Sequence, residues 1–165
     1  MRKQIGAFDL FHETIEILDG NGALLVSGDL PNAMTIGWGT IGIIWGRPVF
    51  IVYVRPTRYT FQLMEKSEAF SVNFLSERYS REINICGTRS GKDTDKIASC
   101  NFTMVKGILI PTPYIAESTF HYECRIIERN TVDPVTLDQL IINRYYPLKD
   151  FHRLYFGEIA GVFSE

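Results

Sequence analysis

Pro48-Val49-Phe50-Ile51-Val52-Tyr53-Val54 is an apolar run of seven residues with no charged interruption. A strand with one wet face alternates apolar and polar side chains, because successive side chains point to opposite faces. This run does not alternate, so it reads as a strand buried on both faces. It feeds Arg55-Pro56-Thr57-Arg58-Tyr59-Thr60, and Phe61-Gln62-Leu63-Met64-Glu65-Lys66 beyond reads as helix. A buried strand thus opens into a turn carrying two arginines and two threonines, and the turn starts a helix. Helix N-termini present unpaired N–H groups and a positive dipole end. Arg and Thr donors added there make a candidate phosphate cradle.

Strand patterns dominate the rest. Ala23-Leu24-Leu25-Val26-Ser27 follows the turn Asp19-Gly20-Asn21-Gly22, and Asn32 to Trp38 follows the breaker Pro31. Ala69-Phe70-Ser71-Val72-Asn73-Phe74 alternates. Tyr122, Cys124 and Ile126 alternate with Glu123 and Arg125, which predicts a half-exposed strand. Leu140-Ile141-Ile142-Asn143 reads as a strand, and Leu154 to Phe163 closes the chain, with Gly157 and Gly161 marking bulges or bends. Helices are fewer. Thr57 is the expected N-cap of a helix over 58–66. Ser80 to Ile85 reads as a second helix and Asp93 to Ile97 as the start of a third. Many short strands with few helices predict a mainly β chain, an antiparallel barrel with helical excursions.

The chain has 165 residues, which suits one domain spanning 1–165 with a proper core. Net charge is −2 and no basic run occurs, so a nucleic-acid surface is not expected. No apolar stretch approaches the ~20 residues of a membrane span, and Phe8 to Glu13 is broken by charges, unlike a signal peptide. Cys86, Cys100 and Cys124 are odd in number and widely spaced, which suits a reducing cytoplasm better than a disulfide scaffold. His121 and Cys124 lie three apart in a strand and so face opposite sides, and no second ligand pair accompanies them; no metal site is expected.

Three further polar-glycine segments accompany the arginine turn. In Asn32-Ala33-Met34-Thr35-Ile36-Gly37-Trp38-Gly39-Thr40-Ile41-Gly42 the glycines allow close backbone approach to a flat ligand, and Trp38 is placed to stack on it. Ser71-Val72-Asn73-Phe74 is the second. Cys86-Gly87-Thr88-Arg89-Ser90-Gly91-Lys92-Asp93-Thr94-Asp95-Lys96 is a loop rich in hydroxyls and cations, suited to wrapping an anion.

Together these blocks resemble the flavin reductase-like, flavoredoxin-type family of FMN-binding split barrels. The matching residues are Asn32 to Thr35 with Trp38-Gly39, Gly46-Arg47-Pro48, Arg55 to Thr60, Ser90 to Asp93 with Asp95-Lys96, and His152 to Ile159. They keep the family's order from about Asn32 to Glu158. The resemblance implies an antiparallel split β-barrel, a homodimer, and non-covalent FMN near the subunit interface. It implies that Thr35, Ile36, Gly37, Trp38 and Thr40 line the flavin ring. It implies that Arg55, Arg58, Tyr59, Thr60, Ser90, Gly91 and Lys96 hold the ribityl phosphate, with Asn73 a further ligand candidate. It also places His152 near the nicotinamide side of the flavin. A bound flavin carries its own redox chemistry, so no catalytic acid, base or nucleophile has to be found.

Each residue also has a plainer reading. Arg55 and Arg58 suit surface ion pairs with Glu65 or Glu68, Trp38 suits a core, and Asn73 suits a strand end. Lys96 suits a solvated helix start, His152 a turn beside Asp150, and Cys86 an ordinary thiol. Three functions stand side by side. One is an NAD(P)H-dependent flavin oxidoreductase passing electrons to free flavin or a partner protein. Another is an FMN electron carrier reduced by a partner, since no Gly-x-Gly-x-x-Gly follows a strand. The third is the same barrel with another ligand, as in pyridoxamine-phosphate oxidases and haem-binding relatives. The first ~30 residues match no motif and read as an edge strand or a dimer arm.

Overall fold

Ten strands and five short helices build the chain in the computed structural model, which describes residues 2–28 and 30–165. In chain order they are β1 (Lys3–Ile5), α1 (Phe11–Asp19), β2 (Ala23–Ser27), β3 (Asn32–Ile36), β4 (Gly39–Ile44) and β5 (Arg47–Val54). Next come α2 (Tyr59–Met64), β6 (Ala69–Phe74), α3 (Ser80–Thr88), α4 (Lys96–Ser99), β7 (Met104–Val105) and β8 (Tyr114–Ile115). The chain closes with β9 (Phe120–Thr131), α5 (Gln139–Tyr145) and β10 (Arg153–Ser164).

The main sheet is antiparallel, in the order β3-β2-β6-β9-β10-β5-β4, with β1 paired to β10. Its two edges, β3 and β4, are consecutive in the chain and separated only by Gly37 and Trp38. Two residues cannot span a flat sheet seven strands wide, where neighbours lie about 4.8 Å apart. The sheet therefore curls until its edges meet, and β3 comes against β5. Among the described residues no ladder joins β3 to β4. The barrel is left split along the Gly37–Trp38 seam.

The core explains the apolar runs. Phe50, Val52, Phe70, Val72, Phe74, Tyr122, Tyr155 and Ile159 fill the barrel. A second cluster, with Leu24, Val26, Ala33, Ile83, Cys86, Cys100 and Phe102, covers the outer face of β2 and β3 beneath α3 and α4. β2 is buried on both faces for that reason, and Val49 to Val52 of β5 are buried without alternation as well. β4 and β5 turn at Trp45 and Gly46, both with positive φ (53° and 71°), the geometry of a tight two-residue hairpin. β10 shifts register against β9 at Phe156/Gly157 and at Ile159/Gly161, where the glycines predicted bulges.

Three expectations are corrected, and one element was missed. Leu140 to Asn143 is helical, in α5: Asp138 caps it by accepting the Leu140 N–H at 2.7 Å. The helix after the arginine turn is Tyr59–Met64 rather than 58–66, and its N-cap is Arg58, with no side-chain cap from Thr57. Glu123 is fully buried, not on a wet face, because the loop before β8 lies over it. Its carboxylate accepts the N–H groups of Ile108 and Leu109 at 2.7 and 2.6 Å and lies 3.4 Å from His121 Nε2. Burial pushes the Glu123 carboxyl up, but these three partners outweigh it and hold the group below its usual range. The N-terminal region is an edge strand, β1, followed by a helix, α1, that the sequence reading missed. α1 turns Thr14 and Leu18 inward, and Thr14 Oγ1 lies 2.9 Å from the Tyr122 hydroxyl.

No helix is long and apolar enough to cross a membrane. Among the described residues no group of His, Cys, Asp or Glu has the makings of a metal site, and all three cysteines are buried and unpaired.

Candidate functional site

The barrel seam opens into a cleft with two connected ends. One, about 200 Å³, is lined by Met34, Thr35, Ile36, Gly37, Trp38, Tyr53, Arg55, Arg58 and His152. The other, about 100 Å³, is lined by Met34, Thr57 to Thr60, Cys86 to Gly91 and Lys96. Met34 and Arg58 belong to both, so the cleft runs from β3 and β5 to the α3–α4 loop.

The second end is cationic. Arg58 caps α2 through its backbone, and its guanidinium makes no hydrogen bond or ion pair among the described residues. Lys96 is only 4% exposed, and its ammonium donates to the Cys86 carbonyl at 3.1 Å. Burial lowers the Lys96 pKa, the nearby Cys86 thiol raises it, and the positive charge of Arg58 lowers it further. Arg89 lines the same end, so three cationic residues line it without a carboxylate among them, which is an arrangement suited to an anion. α2 is six residues long, too short for its dipole to add much, so side chains and loop N–H groups supply the donors.

The loop is held close by packing. A Cβ at Gly91 would fall 2.0 Å from Asn32 Oδ1, so only glycine allows the loop to lie on the start of β3. Asn32 Nδ2 in turn donates to Thr60 Oγ1 at 2.8 Å. Asn32 therefore couples α2 to the α3–α4 loop, a role the sequence reading did not assign to it. Thr35 Oγ1 donates to the Ile83 carbonyl and ties β3 to α3. Ser90 is exposed, and its hydroxyl accepts the Lys92 N–H at 3.2 Å. Cys86 is buried against Cys100, and burial pushes its thiol pKa up to about 12, so it is an ordinary thiol and not a nucleophile.

The first end is aromatic. Trp38 is 41% exposed rather than in the core, edge-on to Tyr145 (5.2 Å between ring centroids) and 4.9 Å from the His152 ring. Thr40 lies beyond Trp38, in an apolar cavity of about 470 Å³ with Gly39, Leu137, Ile141 and Tyr146. His152 Nδ1 lies 2.8 Å from the Tyr146 hydroxyl.

Two candidates have other occupations. Arg55 lines the cleft, but its guanidinium bonds Asp150 Oδ1 and the Tyr145 carbonyl, each at 2.8 Å, and lies over the Tyr146 ring. It pins the segment after α5 to the end of β5. Asn73 is fully buried away from the cleft: it donates to the Leu24 carbonyl and Ser71 Oγ and accepts the Ile115 N–H.

Burial, followed by the charge of Arg55, lowers the His152 pKa to about 4. In an unfolded chain the same group titrates near 6.5. Protonation therefore favours unfolding: its contribution to stability is complete above about pH 6.5 and is lost as pH falls toward about 4. Urea midpoints measured between pH 7.5 and 4.5 are expected to fall more steeply in the wild-type protein than in His152→Gln. Parallel slopes in the two proteins would contradict a buried neutral His152.

Comparison with known proteins identifies the family and the fold. Residues 20–164 match the family model of the flavin reductase like domain. The fold is similar to flavoredoxin of Desulfovibrio vulgaris (Miyazaki F), at 25% identity and TM-score 0.69 over 87% of this chain and 68% of that one. It is also similar to flavoredoxin from Methanosarcina acetivorans, at 28% identity and TM-score 0.67 over 87% and 67%. An FMN-binding protein from Thermus thermophilus, solved with bound 1-cyclohex-2-enone, shares the fold at 23% identity and TM-score 0.68 over 87% and 69%. The expected mainly β, antiparallel split barrel is the observed architecture.

Proposed function

The chain belongs to the flavin reductase-like family, and from that premise we propose that it is an FMN-binding oxidoreductase drawing electrons from NADH or NADPH. One observation carries the reading: unopposed Arg58 and Lys96 at one end of a cleft whose other end is walled by Trp38, Tyr53 and His152. A phosphate-tailed flat ring needs both ends. Arg58, Lys96, Ser90, Thr60 and the Gly91 backbone suit the phosphate, where charge-assisted hydrogen bonds are strongest. Met34 to Trp38 and Tyr53 suit the ring. Bound FMN would supply the redox chemistry, and the chain's own residues bind it, orient it and exclude water.

The reading includes a homodimer with the flavin near its interface, because the cleft is open beside exposed Gly37 and Trp38 and a second copy would cover it. It includes a redox partner, either free flavin or a protein. Three unpaired thiols suit a reducing cytoplasm.

An absorption spectrum tests the reading. Purified protein is mixed with FMN, desalted, and treated anaerobically with NADH and then NADPH. Retained flavin bands that bleach quickly with either nucleotide are expected, and the faster one names the donor. Retained bands that bleach only with dithionite would replace the reductase with an electron carrier of flavoredoxin type. No retained flavin would contradict the ligand, and a Soret band would point to haem.

A further inference from the structure

His152 has one nitrogen engaged and one free. Nδ1 lies 2.8 Å from the Tyr146 hydroxyl, Tyr146 is 3% exposed, and among the described residues no other group accepts from that hydroxyl. Nε2 has no partner among the described residues, yet it is not sealed off. Among the described residues the buried side-chain atoms without partners are His121 Nδ1 and Arg129 Nε. His152 lines the Trp38 end of the cleft, so that is where Nε2 finds open space.

A neutral imidazole carries one proton. If Nδ1 held it, the Tyr146 O–H would be a buried donor with no acceptor. If the phenol donates to Nδ1, both the phenol and Nδ1 are satisfied and the proton must sit on Nε2. The segment is also rigidly held. Arg55 grips Asp150 and the Tyr145 carbonyl and lies 5.1 Å from the Tyr146 ring centroid. The Tyr146 ring packs against Phe151 and His152, and Trp38 and Tyr53 flank the imidazole.

We propose that Tyr146 is a positioning residue that locks His152 in its Nε2–H tautomer, so that His152 offers a permanent hydrogen-bond donor to a carbonyl or carboxamide oxygen at the Trp38 end of the cleft. Burial, Arg55 and Arg58 lower its pKa and outweigh Asp150, which raises it, so the ring stays neutral. A neutral donor suits a neutral acceptor oxygen and adds no cation beside Arg55 and Arg58. The ligand's identity here rests on the flavin and nicotinamide reading above; the tautomer does not.

The experiment has two arms. Long-range ¹⁵N NMR of the ligand-free protein at neutral pH is expected to show His152 protonated at Nε2 alone, and a mixture of tautomers in Tyr146→Phe. Protonation mainly at Nδ1 in the wild-type protein, or an unchanged pattern in Tyr146→Phe, would overturn the lock. In the second arm, NAD(P)H bleaching of bound flavin is expected to slow about tenfold in His152→Leu, the cost of one hydrogen bond, and to recover in His152→Gln, whose amide still donates. Gln no faster than Leu would overturn the donor role. If no nucleotide bleaches the wild-type protein, the reductase reading fails separately and the NMR arm alone decides the lock.

Discussion

Arg58→Ala is expected to weaken FMN binding by about 1.5–3 kcal/mol, roughly ten- to hundredfold, the range for hydrogen bonds to a charged group. The guanidinium is the one arginine of the turn with no partner among the described residues, so its full donor set is available to a ligand. The fold is expected to survive, because Arg58 is exposed and its capping of α2 is made by backbone. A flavin fluorescence titration checks the affinity and circular dichroism checks the fold. Arg55→Ala makes the useful contrast. Its guanidinium serves Asp150 and Tyr145, so its loss should loosen the segment carrying His152 more than it releases phosphate. Equal FMN affinity in wild type and Arg58→Ala would remove Arg58 from the site.

Tyr122→Ala is expected to cost about 3–5 kcal/mol of stability, the range for deleting a large buried aromatic ring. Its ring lies at the centre of the barrel, edge-on to Phe50 at 5.3 Å and against Phe74 and Phe120. Its hydroxyl reaches Thr14 of α1, so the change also orphans a buried hydroxyl. Tyr122→Phe separates the two effects, keeping the ring and losing only the bond to α1. Urea unfolding of the three proteins checks the ordering. A loss under about 1 kcal/mol for Tyr122→Ala would mean that the ring is not a core element.

Much of the fold was legible because burial writes itself into short patterns. Val49 to Val52 does not alternate because all four side chains are buried, whichever face they point to. Gly157 and Gly161 stand where β10 slips register. The failures have physical causes too. Leu140-Ile141-Ile142 is apolar but exposed, 77% at Leu140, so its composition reflects no sheet burial; the cap at Asp138 was the better signal. α1 was hidden because only Thr14 and Leu18 are fully buried and Ile17 partly so, while Phe11 and Ile15 stay exposed. Glu123 broke the alternation rule because a distant loop brings two N–H groups to it.

The site divides in the same way. Arg58, Ser90, Gly91 and Lys96 were legible as a set of donors in two local segments, and the fold brings those segments together. The occupation of Arg55 was not legible, since its partner Asp150 lies 95 residues away. Asn32 and Tyr146 gave no signal of their own: each matters only through one contact, with Thr60 and with His152.

The most direct test of the account compares FMN with riboflavin, which lacks only the phosphate. Binding constants for both are measured on the same protein preparation, with and without Arg58→Ala. If Arg58 and Lys96 form a phosphate site, FMN binds at least about tenfold tighter than riboflavin, and Arg58→Ala removes most of that difference while leaving riboflavin nearly unchanged. Equal affinities for the two flavins in the wild-type protein would contradict the phosphate cleft on which the account is built.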